Sequence, residues 1–185
     1  MSKNLLAISG SIRAQSANTS VLKSLQNFAP EDVYIHLYEG IDSFPHFNPD
    51  ITDTTLLKPV DDFRDQLRKA DGIIICTPEY AFGLPGVLKN ALDWLVSSGE
   101  FTDKPTATIS ASPLVTGADK AHAQLIQTLK VMGAKIPAGA SLTIPTILKK
   151  LDDQGRINDQ STIDDLSDLI DTLIHQINQP VSYEL

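Results

Sequence analysis

Apolar residues along this chain fall into short unbroken runs that alternate with stretches in which they recur every three or four positions. Leu5-Leu6-Ala7-Ile8, closed by Ser9-Gly10, suits a parallel strand covered on both faces. After the polar stretch from Ser11 to Ala17, Asn18 and Thr19 offer N-cap oxygens, and Val21, Leu22, Leu25 and Phe28 predict a helix ending by Pro30. Val33 to Leu37 reads as a second strand, and the Pro-, Asp- and Thr-rich segment from Glu39 to Lys58 as a long surface loop. Pro59 is placed to start a helix with an inward stripe of Val60, Phe63 and Leu67, ending near Ala70. Gly72 to Thr77, apolar and β-branched, predicts a central strand. Pro85-Gly86 opens a helix to Ser97, with Leu88, Ala91, Leu92 and Leu95 on one face, and Thr106 to Ala111 follows as a strand. Ala118 to Met132 reads as helix and Ala134 to Leu142 as the last strand. Ile163 to Ile177 closes the series as an amphipathic helix, with Asp164, Asp165, Asp168 and Asp171 on its solvated face.

Regular alternation of strand and helix implies an α/β architecture, a mostly parallel sheet with helices on both faces. About five strands in this length favour the order 2-1-3-4-5 in a three-layer sandwich, and no repeat or linker divides residues 1–185, so one domain is expected. Such sheets bind ligands beyond the carboxyl ends of their strands, which directs attention to the loops Gly10 to Asn18, Pro78 to Pro85 and Ser110 to Ala118.

The first loop, Ser9-Gly10-Ser11-Ile12-Arg13-Ala14-Gln15-Ser16-Ala17-Asn18-Thr19, puts hydroxyls and a guanidinium directly before a helix N-terminus. A terminal phosphate would meet helix N–H groups there, with Ser11, Ser16 and Asn18 donating and Arg13 supplying fixed charge. A polar capped turn with nothing bound has the same capping residues; Arg13 tips the balance toward an anion. Neither GxxxxGK[ST] nor GxGxxG is present, so a nucleoside-triphosphate cradle and a dinucleotide fingerprint lack support. The second loop, Thr77 to Gly86, carries two aromatics and is stiffened by Pro78 and Pro85. A rigid backbone with outward polar groups suits a flat heteroaromatic ring, although a packed Tyr and Phe at a helix entry would read alike.

Composition narrows the picture further. Fifteen Lys and Arg against 23 Asp and Glu leave a net charge of −8, unlike a surface built to hold nucleic-acid phosphates. Cys76, the one cysteine, allows no intramolecular disulfide, and no apolar stretch has the length of a signal core or membrane span, so a cytoplasmic protein is expected. His36, His46, His122 and His175 form no HExxH or paired spacing, and no GxSxG elbow supports a serine hydrolase.

Read together, the loops closely resemble the NAD(P)H-dependent FMN reductase family of flavodoxin-like proteins. The family motif GSxRxxSxN is matched by Gly10, Ser11, Arg13, Ser16 and Asn18. The motif PEYNxSxPGxLKNAxDW is matched by Pro78, Glu79, Tyr80, Pro85, Gly86, Leu88, Lys89, Asn90, Ala91, Asp93 and Trp94. The segment Leu151 to Asn158 resembles the stretch preceding the family's last helix. Ala81 stands where the family often has Asn and Gly83 where it often has Ser, and the loop from Ser110 to Ala118 lacks the paired glycines of many relatives. The resemblance implies FMN with its phosphate at Ser11, Arg13, Ser16, Asn18 and Thr19, and its ring against Pro78, Glu79, Tyr80 and Ala81, with Ser110 and Ser112 beside it. It implies NADPH or NADH as hydride donor, a small-molecule acceptor (quinone, azo compound, metal oxyanion or free flavin), ping-pong turnover and no catalytic side chain. Relatives form dimers, and an apolar surface continued by Trp94 and Leu95 predicts a homodimer or homotetramer. A flavodoxin-type electron carrier, binding FMN without taking hydride, suits the acidity, but the helix-entry motif belongs to the reductases. A signalling domain of the same sheet order would have an acidic metal pocket where this chain has Ser and Arg.

Overall fold

The computed structural model describes residues 2–52 and 54–179. Its centre is a five-stranded parallel sheet in the order β2-β1-β3-β4-β5, formed by β1 (Lys3–Ser9), β2 (Val33–Tyr38), β3 (Gly72–Thr77), β4 (Thr106–Ala111) and β5 (Ser141–Ile144). Between and after the strands run α1 (Ala17–Leu25), α2 (Thr54–Lys69), α3 (Gly86–Asp93), α4 (Asp119–Val131) and α5 (Gln160–Ile177). This is the flavodoxin-like arrangement.

Alternate residues of a strand point to opposite faces, so the apolar runs of β1 and β3 feed two cores. Leu6, Ile8, Ile73 and Ile75 pack with Val60, Phe63 and Leu67 of α2, Leu88 and Leu92 of α3, and Leu125 and Leu129 of α4. Leu5, Ala7, Ile74 and Cys76 pack with Val21, Leu22 and Leu25 of α1 and with Leu166, Leu169, Ile170 and Leu173 of α5. Every residue of β3 is buried, as its unbroken apolar run requires.

Several element boundaries differ from the sequence expectation. α2 begins at Thr54, and Pro59 lies inside it rather than starting it. An interior proline costs a helix one backbone bond, so periodicity read from Pro59 onward misses the first turn. The expected loop from Glu39 to Lys58 is correspondingly shorter, and part of it is a single 3-10 turn, Ile41–Ser43. Its remainder is strapped to α3: Asn90 and Trp94 both donate to the Pro45 carbonyl, at 3.0 and 2.8 Å, and the Phe47 N–H donates to Asn90 Oδ1 at 2.8 Å. Ser16, not Asn18 or Thr19, caps α1, its hydroxyl accepting from the Thr19 N–H. α3 stops at Asp93 instead of Ser97. β5 spans only Ser141–Ile144, because Pro137 and a turn through Gly139, at φ 93°, break the run after Lys135, which makes an isolated bridge to Pro105. Asp159 caps α5, which therefore starts ahead of Ile163. Trp94 and Leu95 are buried within the chain's own core, so they provide no free apolar surface for assembly.

Candidate functional site

The loops after β1, β3 and β4 meet at the carboxyl end of the sheet. Gly10 brings the first loop against the second: its N–H donates to the Cys76 carbonyl at 2.8 Å, and a Cβ on it would stand 2.9 Å from Leu88 Cδ2 and 3.0 Å from Thr77 Oγ1. A larger residue would force Leu88 and Thr77 to shift. The hydroxyls that follow divide into those committed to the fold and those still able to donate. Ser9 Oγ lies 3.2 Å from the Ser11 carbonyl and 2.8 Å from Thr19 Oγ1, a pair in which either hydroxyl can donate, so Thr19 is engaged with Ser9. Ser16 and Ser11 accept from the backbone N–H groups of Thr19 and Arg13, so each keeps its own O–H to give. Arg13 is exposed, and its guanidinium has no hydrogen-bond or ion-pair partner among the described residues. The first N–H groups of α1 lack acceptors within the helix, as in any first turn.

Asn18 is buried and turned inward. Its Nδ2 donates to the Ala111 carbonyl at 3.3 Å and its Oδ1 accepts from Cys76 Sγ at 3.2 Å, so one side chain joins α1 to the ends of β3 and β4. Burial pushes the Cys76 thiol well above its usual range, and it serves as a neutral donor.

The second loop is a closed turn. The N–H groups of Tyr80 and Gly83 donate to each other's carbonyls at 3.1 and 3.0 Å, and both intervening residues are left-handed, Ala81 at φ 51° and Phe82 at φ 61°. Left-handed backbone at a side-chain-bearing residue costs about 1–2 kcal/mol, a strain typical of ligand-binding loops. In the third loop Ser110 Oγ donates to the Gly117 carbonyl at 2.7 Å and Ser112 Oγ accepts from the Leu114 N–H at 3.1 Å, so both hydroxyls shape the loop itself. Gly117 and Ala118 follow in left-handed conformation, Ala118 standing in the glycine-like backbone despite its methyl.

A cleft of about 180 Å3 lies where the loops converge. Ser11, Arg13, Ser16, Asn18, Pro78, Glu79, Tyr80 and Ser112 line it; Thr19, Ala81 and Ser110 do not. Gln15, Ala17, Ala111, Pro113 and Leu148, outside the predicted set, complete its wall. Leu148 sits in the 3-10 turn Ile147–Lys149 beyond β5, where only the rule that ligands sit past strand ends could have pointed. Arg13 and Glu79 are the charged side chains of the lining, and Glu79 is engaged by backbone N–H groups of α4. That leaves Arg13 unopposed beside two free hydroxyls and a helix N-terminus, a donor set that fits a terminal phosphate, next to a stiff turn that fits a planar ring. Groups of three or more His, Cys, Asp or Glu able to hold a metal ion are absent among the described residues.

Comparison with known proteins agrees with the fold. A family model described as NADPH-dependent FMN reductase matches residues 4–149. An NAD(P)H-dependent FMN reductase of Pseudomonas aeruginosa is 34% identical over 157 residues, covering 84% of each chain. A quinone reductase of Escherichia coli is 31% identical over 173 residues, covering 90% of this chain and 92% of that one. Among solved structures, the flavoenzyme FerB, an NAD(P)H:(acceptor) oxidoreductase of Paracoccus denitrificans, superposes with a TM-score of 0.84 at 29% identity, covering 95% of this chain and 97% of its own.

Proposed function

The chain belongs to the NADPH-dependent FMN reductase family, and from that premise we propose that it carries hydride from NAD(P)H to a small-molecule acceptor by way of FMN held in the three-loop cleft. The observation that carries this reading is that Arg13, unpartnered among the described residues, lines the same cleft as the strained turn at Tyr80. Bound FMN would supply a ring that takes up hydride and passes on the electrons. Arg13, the hydroxyls of Ser11 and Ser16 and the first N–H groups of α1 would hold its phosphate. Asn18 would act from behind, keeping α1 against β3 and β4. Pro78, Glu79 and Tyr80 would wall the ring, with Ser112 opposite, the backbone rather than side chains supplying the polar contacts. Ala81 and Ser110 would set loop shape, and Thr19 would brace Ser9. The ring would carry the chemistry, and the protein's part would be positioning.

With one ring face to share, NAD(P)H would leave before the acceptor takes its place, a ping-pong order. A quinone, an azo compound, a metal oxyanion or free flavin would each satisfy that step. Ile12, Phe82, Leu114, Val115 and Leu148 leave large apolar surface on the loops at this end of the sheet, which a second copy of the chain would cover. Reconstitution with FMN followed by anaerobic titration with NADPH tests the reading. Bleaching of the oxidised flavin band, reversed by added quinone, is expected; FMN binding without bleaching by NADPH or NADH would instead indicate an electron carrier.

A further inference from the structure

Glu79 lines the cleft, yet its carboxylate is turned onto a helix. Oε2 accepts from the backbone N–H groups of Lys120 and Ala121, at 3.0 and 2.9 Å, in the first turn of α4. The N-cap position of that helix is Ala118, which has no side-chain oxygen, so a carboxylate 41 residues upstream of Lys120 provides the cap. α4 also reaches back: Gln124 Oε1 accepts from the Leu84 N–H at 2.8 Å, on the far side of the left-handed turn. Ala81 and Phe82 are thus held in strained backbone between two attachments to one helix.

An amide oxygen would serve for the tether alone. A carboxylate adds a full negative charge at the positive end of the α4 macrodipole, in the wall of the cleft. Lys120 does not offset it, since its ammonium pairs with Asp119 at 3.2 Å in the same turn. Arg13, the remaining charged lining residue, belongs to the loop before α1.

We propose that Glu79 is a positioning residue that also sets the electron affinity of the site, fastening the turn to α4 while its charge disfavours negative charge on a ring held beside it. The inference rests on the FMN reading above. Such a ring, on taking up a hydride (two electrons and one proton) from NAD(P)H, which would leave as NAD(P)+, would gain one negative charge. A carboxylate in the wall therefore weakens binding of reduced relative to oxidised FMN and makes the bound cofactor harder to reduce.

The test compares the Kd of oxidised FMN, the Kd of reduced FMN under anaerobic conditions, and the midpoint potential of the bound cofactor in wild type, Glu79→Gln and Glu79→Ala. Glu79→Gln keeps an acceptor for the α4 N–H groups and removes the charge. Its melting temperature should stay near wild type, while the Kd of reduced FMN falls about threefold or more relative to that of oxidised FMN and the potential becomes less negative. Glu79→Ala should melt earlier and bind both forms more weakly. An unchanged ratio of the two Kd values in Glu79→Gln would overturn the charge role, and a Glu79→Ala protein with wild-type melting and affinity would overturn the tether. A Gln variant that melts as early as the Ala variant would also overturn the division into tether and charge. Failure of the wild type to bind FMN would show separately that the underlying reading is wrong.

Discussion

Single side chains in this protein divide between holding loops in shape and facing the cleft. Arg13 faces it without a partner, so Arg13→Ala should weaken FMN binding by about 1.5–3 kcal/mol, the worth of a charged hydrogen bond, and leave the melting temperature unchanged. Equilibrium titration with FMN checks this, and equal affinities would remove the phosphate from Arg13. Ala81, at φ 51°, lacks the local hydrogen bonding that lets Asn occupy left-handed backbone. Ala81→Asn should raise stability by about 0.5–1 kcal/mol, seen as a higher urea midpoint with the same slope. His122 lies buried between α4 and β4, its Nε2 3.2 Å from the Thr108 carbonyl and 3.0 Å from Thr108 Oγ1. Burial lowers its pKa against the opposing pull of that carbonyl, so the ring is kept neutral in the fold. An unfolded chain takes up the proton near pH 6.5, hence its contribution is present above that value and is lost as pH falls from there toward the lower folded value. His122→Gln should flatten the fall in unfolding free energy between pH 7 and pH 5.5, measured by urea titration at each pH; an unaltered slope would clear His122 of the effect.

At the level of elements, the segment after β2 depends on α3 for its shape. Trp94 is almost fully buried, meets Phe47 edge-on at 5.1 Å and donates to the Pro45 carbonyl. Trp94→Ala should therefore cost about 3–5 kcal/mol in urea unfolding, as for other buried aromatics, and a loss below 1 kcal/mol would show that the strap is dispensable. What the sequence makes legible follows from the range of each interaction. β3 is readable because six consecutive residues are buried on both faces and the run has no polar interruption until Thr77. The start of α2 is hidden because Pro59 imitates a helix start, and the start of β5 is hidden because the apolar run from Ala134 is broken by a turn at Pro137 to Ala140. The Ser16 cap and the exposed Arg13 of the first loop are equally legible, since both lie within a few residues of the helix they precede. The inward turn of Asn18, 93 residues from the carbonyl it reaches, is not, and neither is the reach of Glu79 to α4.

Across the whole molecule, charge and apolar surface are separated in a way that bears on assembly. The net charge of −8 keeps copies apart in general, while Phe82 and Val115 are each more than four-fifths exposed on loops at the cleft end of the sheet. Light scattering on the purified chain should give at least twice the monomer mass, and Val115→Asp should lower it; a monomer at all concentrations would refute assembly through these loops. Among the described residues no helix is long and apolar enough to cross a membrane. The cap on α4 joins two distant parts of the chain in time as well as in space. Amides at a helix start ordinarily exchange with solvent quickly, but those of Lys120 and Ala121 are occupied for as long as Glu79 stays in place. Their deuterium uptake is then a clock for the departure of a loop 41 residues upstream, and whatever slows it, a bound ring included, also slows the parting of the second and third walls of the cleft.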